Sequence, residues 1–182
     1  MNHVDYEIDI YDEAGNVIGM KKRKDVDKAT DIFNGVKVFI CTTPKHLVLS
    51  KEVVLSKVPV QSSLKNVYGG LYGGATVATM RRHGETALQA AERTSEREIY
   101  VSGIALHELG TVVHHLSDGR TRVHTVLWGE HSAPVDRFNP EDIESLALFT
   151  RAQLEERLKT HAEEFSPAFV AVWKDYGAQL PL

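Results

Sequence analysis

Cysteine is almost missing from the 182 residues: Cys41 stands alone, so no intrachain disulfide can form, and a reducing compartment is expected. Cys41 lies in the apolar run VFICTTP, where a buried structural thiol is expected rather than a nucleophile. No stretch approaches the roughly 20 apolar residues of a membrane span, and there is no internal repeat or low-complexity tract. The opening MNHVDYEIDIYDEAG carries early acids and no apolar signal core, so a cytoplasmic location is expected. A basic excess is missing too. The net charge is −4, which leaves no global field to attract nucleic acid, and the acidic excess is too small to imply a basic partner. What is present, 42% hydrophobic and 25% charged residues, is ordinary for a globular chain whose length suits one domain, 1–182.

YEIDIYDEAGNVIGMKKRKDV alternates on both sides of Asp12-Glu13-Ala14-Gly15-Asn16, which predicts a hairpin over about 5–26 with positive φ at Gly15 and Asn16. VKVFIC and HLVLSKE form a second pair bent at Thr43-Pro44-Lys45, and Lys57 to Tyr72 reads as a loop. A helix is predicted from Gly84 to about Ile99 with Thr86 as its cap. LHELGTVVHHL and TRVHTVLWGEH then flank the turn Ser117-Asp118-Gly119-Arg120. DIESLALFT ends as a short strand. Two helices close the chain over about 150–178, one with Leu154 and Leu158 at i, i+4, the other opened by Ser166 and Pro167. The order predicts an α/β (α+β) class, a mixed β-sheet sandwiched between helices.

Several constellations lead nowhere. His114 and His115 point to opposite faces of one strand, so at most one joins His107 or His124, and no cysteine or helical HExxH accompanies them. The glycines from Gly69 to Gly74 lack the Lys-Ser/Thr sequel of a P-loop. Trp128 and Trp173 fall in apolar patterns and read as core.

The segment Gly73 to Glu98, GGATVATMRRHGETALQAAERTSERE, resembles the box of the Nudix superfamily, G-x5-E-x7-R-E-U-x-E-E-x-G-U with U aliphatic. Gly84-Glu85-Thr86 matches its GET, Ala90-Ala91 its alanine pair, and Arg93 its arginine. YDEAGNVIGMKKRKDV resembles the leading hairpin of the isopentenyl-diphosphate-isomerase-like branch. HLVLSKE and DIESLALFTRAQL resemble two further family segments. Isomerase activity itself is set aside, because Cys41 lies well upstream of the place that branch needs a cysteine. The resemblance implies one Nudix-type domain, with the box loop and helix at about 73–101, and a homodimer.

It also implies a divalent-metal hydrolase of a diphosphate linkage, with Mg²⁺ or Mn²⁺ neutralising charge on the phosphoryl oxygens. Such cations want several converging carboxylates. Residue by residue, the first helix acid of the family falls on Thr94, the next on Arg97, and only Glu98 is retained; the closing glycine falls on Tyr100. Glu98 and Glu85 are the implied metal ligands, Asp142 (or its neighbour Glu141) a further catalytic acid, and Glu85 also the brace for Arg93. Glu92 and Glu96 lie roughly 120° and 160° around the helix from Glu98 and read as a solvated face pairing with Arg93 and Arg97. About four extra residues before Gly84 bring in Arg81, Arg82 and His83, which together with Arg93 are candidates for binding phosphate beside the site. Two functions stay open. One is a hydrolase of nucleoside-diphosphate-type substrates with a depleted metal site. The other is an inactive module binding a phosphorylated ligand or a protein.

Overall fold

The computed structural model describes residues 6–42, 52–58 and 69–182. β1 (Glu7–Tyr11) and β2 (Val17–Lys22) form the expected hairpin. Its turn is shaped by Asp12, whose carboxylate accepts from the Ala14 and Asn16 amides at 2.9 and 2.8 Å. Only Gly15 takes a positive φ, +84°. Asn16 does not, because the Asp12 bonds already turn the chain.

β3 (Ile32–Thr42) is the axis of the sheet. Along one edge it meets β1, β5 (Val77–Met80) and β4 (Glu52–Lys57), all antiparallel; along the other it runs parallel to β7 (Thr121–His131). β6 (Leu106–His115) pairs with β7, and β8 (Ser145–Phe149) with β4. Val36, Val38 and Ile40 of β3 pack with Leu127 beneath Ala87, Ala90 and Ala91 of α1 (Ala87–Ile99). On the opposite face Phe39, Val126 and Leu55 pack with Leu154 of α2 (Arg151–Thr160) and with Phe169 and Val172 of α3 (Pro167–Tyr176). A central strand buried on both faces explains the unbroken apolar run VFIC. The result is the mixed sheet between helices that the sequence predicts.

Two expectations change. The segment before Gly84 is not all loop: Val77 to Met80 extends along β3, with Val38 opposite Val77 and Gly35 opposite Met80, and Arg82 bridges to Ile8. The extra residues are absorbed by pairing rather than by a free excursion. The strand expected at HLVLSKE falls mostly outside the described residues, and the strand seen next to β3 is the following EVVLSK. Cys41 is buried, as expected.

Candidate functional site

At its start, α1 is fixed by a reciprocal cap. The Thr86 hydroxyl accepts from the Gln89 amide at 3.1 Å, and the Gln89 side chain accepts from the Thr86 amide at 2.9 Å. Gly84, at φ +74°, turns the chain into this cap. Glu85 is then gripped by a two-pronged bond, from Arg93 Nε to Oε1 at 2.7 Å and from Arg93 Nη2 to Oε2 at 2.9 Å. The Arg82 amide adds a third donor at 3.0 Å. Burial alone raises the Glu85 carboxyl, but these donors and their charge hold it below the usual range. Glu85 and Arg93 therefore brace the loop against the second turn of the helix. Arg93 is spent on this brace, while Glu85 also forms part of the wall of the cleft at the start of α1.

The basic segment is also largely engaged. Arg81 Nη2 donates to the Tyr11 hydroxyl at 2.6 Å, the Arg82 guanidinium lies 4.3 Å from the centre of the Tyr6 ring, and His83 Nδ1 is 2.7 Å from Asp9 Oδ1. Arg81 and His83, with Asp9, Glu108, Thr111 and Thr125, line a cleft of about 430 Å³ at the start of α1. That volume is in the range of small-molecule sites. Arg82 and Arg93 do not line it.

Glu98 lies at the other end of the helix, roughly 18 Å from Thr86 at about 1.5 Å per residue. The expected juxtaposition of the basic loop with Glu98 is thus not realised, because the helix itself separates them. Glu98 is 6% exposed. Its Oε1 accepts from the Thr94 hydroxyl at 2.9 Å and from Arg97 Nη2. Arg97 Nε lies 3.4 Å from Asp142 Oδ2, and Asn139 Nδ2 donates to that same oxygen at 2.9 Å. The Asn139 amide donates to the Glu98 carbonyl at 2.8 Å, which ties the loop before β8 to the helix end. Burial pushes the Glu98 carboxyl up to about 7; Arg97 opposes the rise and Asp142 adds to it.

Glu98 and Asp142 do come together, then, but around a guanidinium. This donor set does not fit a divalent cation. Two carboxylates are present, both already on Arg97, and a hydroxyl stands at Thr94 where a third would be needed. Glu141 contributes only its amide to the turn, donating to Asn139 Oδ1 at 3.1 Å.

The helix ends at Tyr100, which adopts φ +55°. This is the left-handed position that glycine favours at a helix end, and it falls where the box places its closing glycine.

One feature is absent from the sequence reading, and another realises a pairing that strand alternation allowed. Lys37, on β3, is 8% exposed, and among the described residues no hydrogen bond or ion pair reaches its Nζ. Burial, helped by the charge of Arg122 and opposed by Glu98, brings its amine down to about 8. A charge inside VKVFIC was the available signal. On the same face His114 Nδ1 lies 2.8 Å from His124 Nδ1, and His114 Nε2 lies 2.9 Å from Asp175 Oδ2. Burial, reinforced by Lys37, holds His124 well below its ordinary value.

Among solved structures the chain is similar over 93% of its length to DR0079 from Deinococcus radiodurans, with TM-score 0.71, 20% identity and 99% of that chain covered. It is similar over 95% of its length to a Nudix hydrolase from M. smegmatis, RenU, with TM-score 0.58, 18% identity and 96% of that chain covered. The NUDIX domain of Shewanella oneidensis NrtR, solved with ADP ribose, matches 87% of the chain with TM-score 0.53, 10% identity and 93% of that domain covered. No family model and no curated protein matches the sequence. These likenesses establish the Nudix fold. No described helix is long and apolar enough to cross a membrane.

Proposed function

We propose that this chain binds a phosphorylated small molecule of nucleoside-diphosphate type and does not cleave it by the divalent-cation route. The observation that carries this reading is Arg97, whose guanidinium stands between Glu98 and Asp142. A cation bridging those carboxylates would have to displace a charge tethered to the same helix. Opposite charge held at contact distance in a mostly buried site is costly to separate. The ligand reading rests on the cleft at the start of α1, where Arg81 and His83 offer donors to an anion and Thr86 and Thr111 offer hydroxyls to a sugar. ADP ribose bound to one protein of the same fold makes it a sensible first probe.

A second reading, the cation-dependent hydrolase, draws on two features. Glu98 and Asp142 converge on one positive group, and the Glu85–Arg93 brace is intact. Arg97, with its side chain about a third exposed, has room to swing outward.

Calorimetric titration with ADP-ribose, with and without EDTA, together with a product assay in Mn²⁺, separates the two. Binding is expected to survive chelation, to weaken about ten-fold in Arg81→Gln as one charged hydrogen bond is lost, and to yield no product above background. Binding abolished by EDTA, or Mn²⁺-dependent product that vanishes in Glu98→Gln, would establish the second reading instead.

A further inference from the structure

A bulge in β6 shapes the far wall of the cleft at the start of α1. Pairing with β7 slips here: Glu108 lies opposite Leu127 and Gly110 opposite Val126, so Leu109 is the extra residue. In a regular strand, residues three apart point to opposite faces. With the slip, Glu108 and Thr111 line the same cleft, while Leu109 packs into the core beneath α2 and α3. Gly110 permits this, with φ +154° and no Cβ to press within 2.9 Å of the Tyr176 hydroxyl of α3. Three carboxylates border the cleft, and two are engaged: Asp9 with His83 and Glu85 with Arg93. Glu108 is exposed, and among the described residues it has no hydrogen bond or ion pair. The hydroxyls beside it are ordered. Thr125 is 1% exposed, and its Oγ1 accepts from Asn34 Nδ2 at 3.0 Å. Among the described residues its own proton has one acceptor, Thr111 Oγ1 at 2.8 Å. The Thr111 O–H is then free to donate into the cleft.

We infer that Glu108 recognises the cis-diol of a ribose, so that the cleft selects ribonucleotides over deoxyribonucleotides. The inference rests on this cleft being the ligand site. Arg81 follows β5 and Glu108 stands on β6, with β3 and β7 between them. At about 4.8 Å per strand they are roughly 14 Å apart along the sheet. A phosphate drawn to Arg81 and His83 is repelled by Glu108, so this carboxylate meets a part of the ligand that donates. A ribose supplies two adjacent O–H donors, which the two oxygens of one carboxylate accept together. An acidic side chain holds the ribose of dinucleotides in the same way in doubly wound folds. Thr111 then donates to a neighbouring sugar or phosphate oxygen.

The test is calorimetric titration of the full chain with ADP, 2′-deoxy-ADP and inorganic pyrophosphate, in the unmodified protein and in Glu108→Gln. The position is exposed, so the variant folds. ADP is expected to bind at least about ten-fold more tightly than 2′-deoxy-ADP, the effect of one hydrogen bond to a charged group. In Glu108→Gln that preference is expected to shrink to about two-fold, because a neutral amide is the weaker acceptor. Pyrophosphate is expected to bind the variant as well as before or better, since a like charge has gone. Equal affinity for the two nucleotides, as a base amine held by Glu108 would give, overturns the inference and leaves the cleft an anion site. So does a preference unchanged in Glu108→Gln, or an equal weakening of all three ligands there. No binding of any of the three would overturn the cleft reading, and the inference with it.

Discussion

Replacing Thr94 and Arg97 together by glutamate is expected to turn the chain into a manganese binder. Glutamates at 94 and 98 stand about 40° apart on one side of the helix, and the change at 97 releases Asp142 from its guanidinium. The site then holds several carboxylate oxygens converging on one point, as a hard cation requires. Without metal the variant is expected to be less stable than the parent. Thr94 is fully buried, and enlarging a packed position costs roughly 1–3 kcal/mol before the repulsion of the added acids. With Mn²⁺ at about 100 times its dissociation constant, some 2.7 kcal/mol returns by mass action. For a chain of this size that is a rise of roughly 5–10 °C in Tm. Thermal unfolding with and without Mn²⁺ reads it directly. The unmodified protein is expected to show no such rise. A variant with a native circular dichroism spectrum and no Mn²⁺ response would mean that geometry, not charge, keeps the cation out.

Lys37→Met is expected to stabilise the fold, which is unusual for a core substitution. A folded-state value of about 8 against 10.5 for the free side chain corresponds to roughly 3 kcal/mol. The sign follows from the direction of the shift. Below pH 8 Lys37 is charged in both states, and the folded state carries the full desolvation cost. Between pH 8 and 10.5 only the unfolded chain keeps the proton, so the stability of the unmodified protein rises with pH. Methionine has nearly the same length and no charge. The gain should therefore approach 3 kcal/mol at pH 7 and shrink as pH 10 is reached, measured by urea unfolding at both. In the unmodified protein Gly74 leaves room for this amine, because a Cβ there would collide with Lys37 Nζ. A destabilised Lys37→Met at pH 7 would show that the ammonium is satisfied in the fold.

Much of this was legible because it is local. The resemblance implies that Glu85, just ahead of the helix cap, braces Arg93, and the bond forms. Thr94 and Arg97 announce themselves as departures at fixed steps from Glu98. What was not legible depends on residues brought together across the sheet. Nothing in the spacing of Arg97 tells that it reaches Asp142, or that Asn139 fastens that loop to the helix end. VATM looks like part of a loop until β3 offers it an edge. Arg81 and His83 seemed neighbours of Glu98 only because the loop and the helix are adjacent in sequence. The full length of α1 keeps them apart. Glu92 and Glu96 were paired with Arg93 and Arg97 by helical spacing, but more buried acids took both arginines.

The central claim is that a guanidinium has taken the place of a cation at Glu98. Titrating the unmodified protein with Mn²⁺ and following free manganese by electron paramagnetic resonance tests it without any assay of activity. Glu98→Gln serves as the control. No saturable Mn²⁺ uptake in the micromolar range, and no difference between the two proteins, is the expected result. Stoichiometric uptake by the unmodified protein that disappears in Glu98→Gln would contradict it.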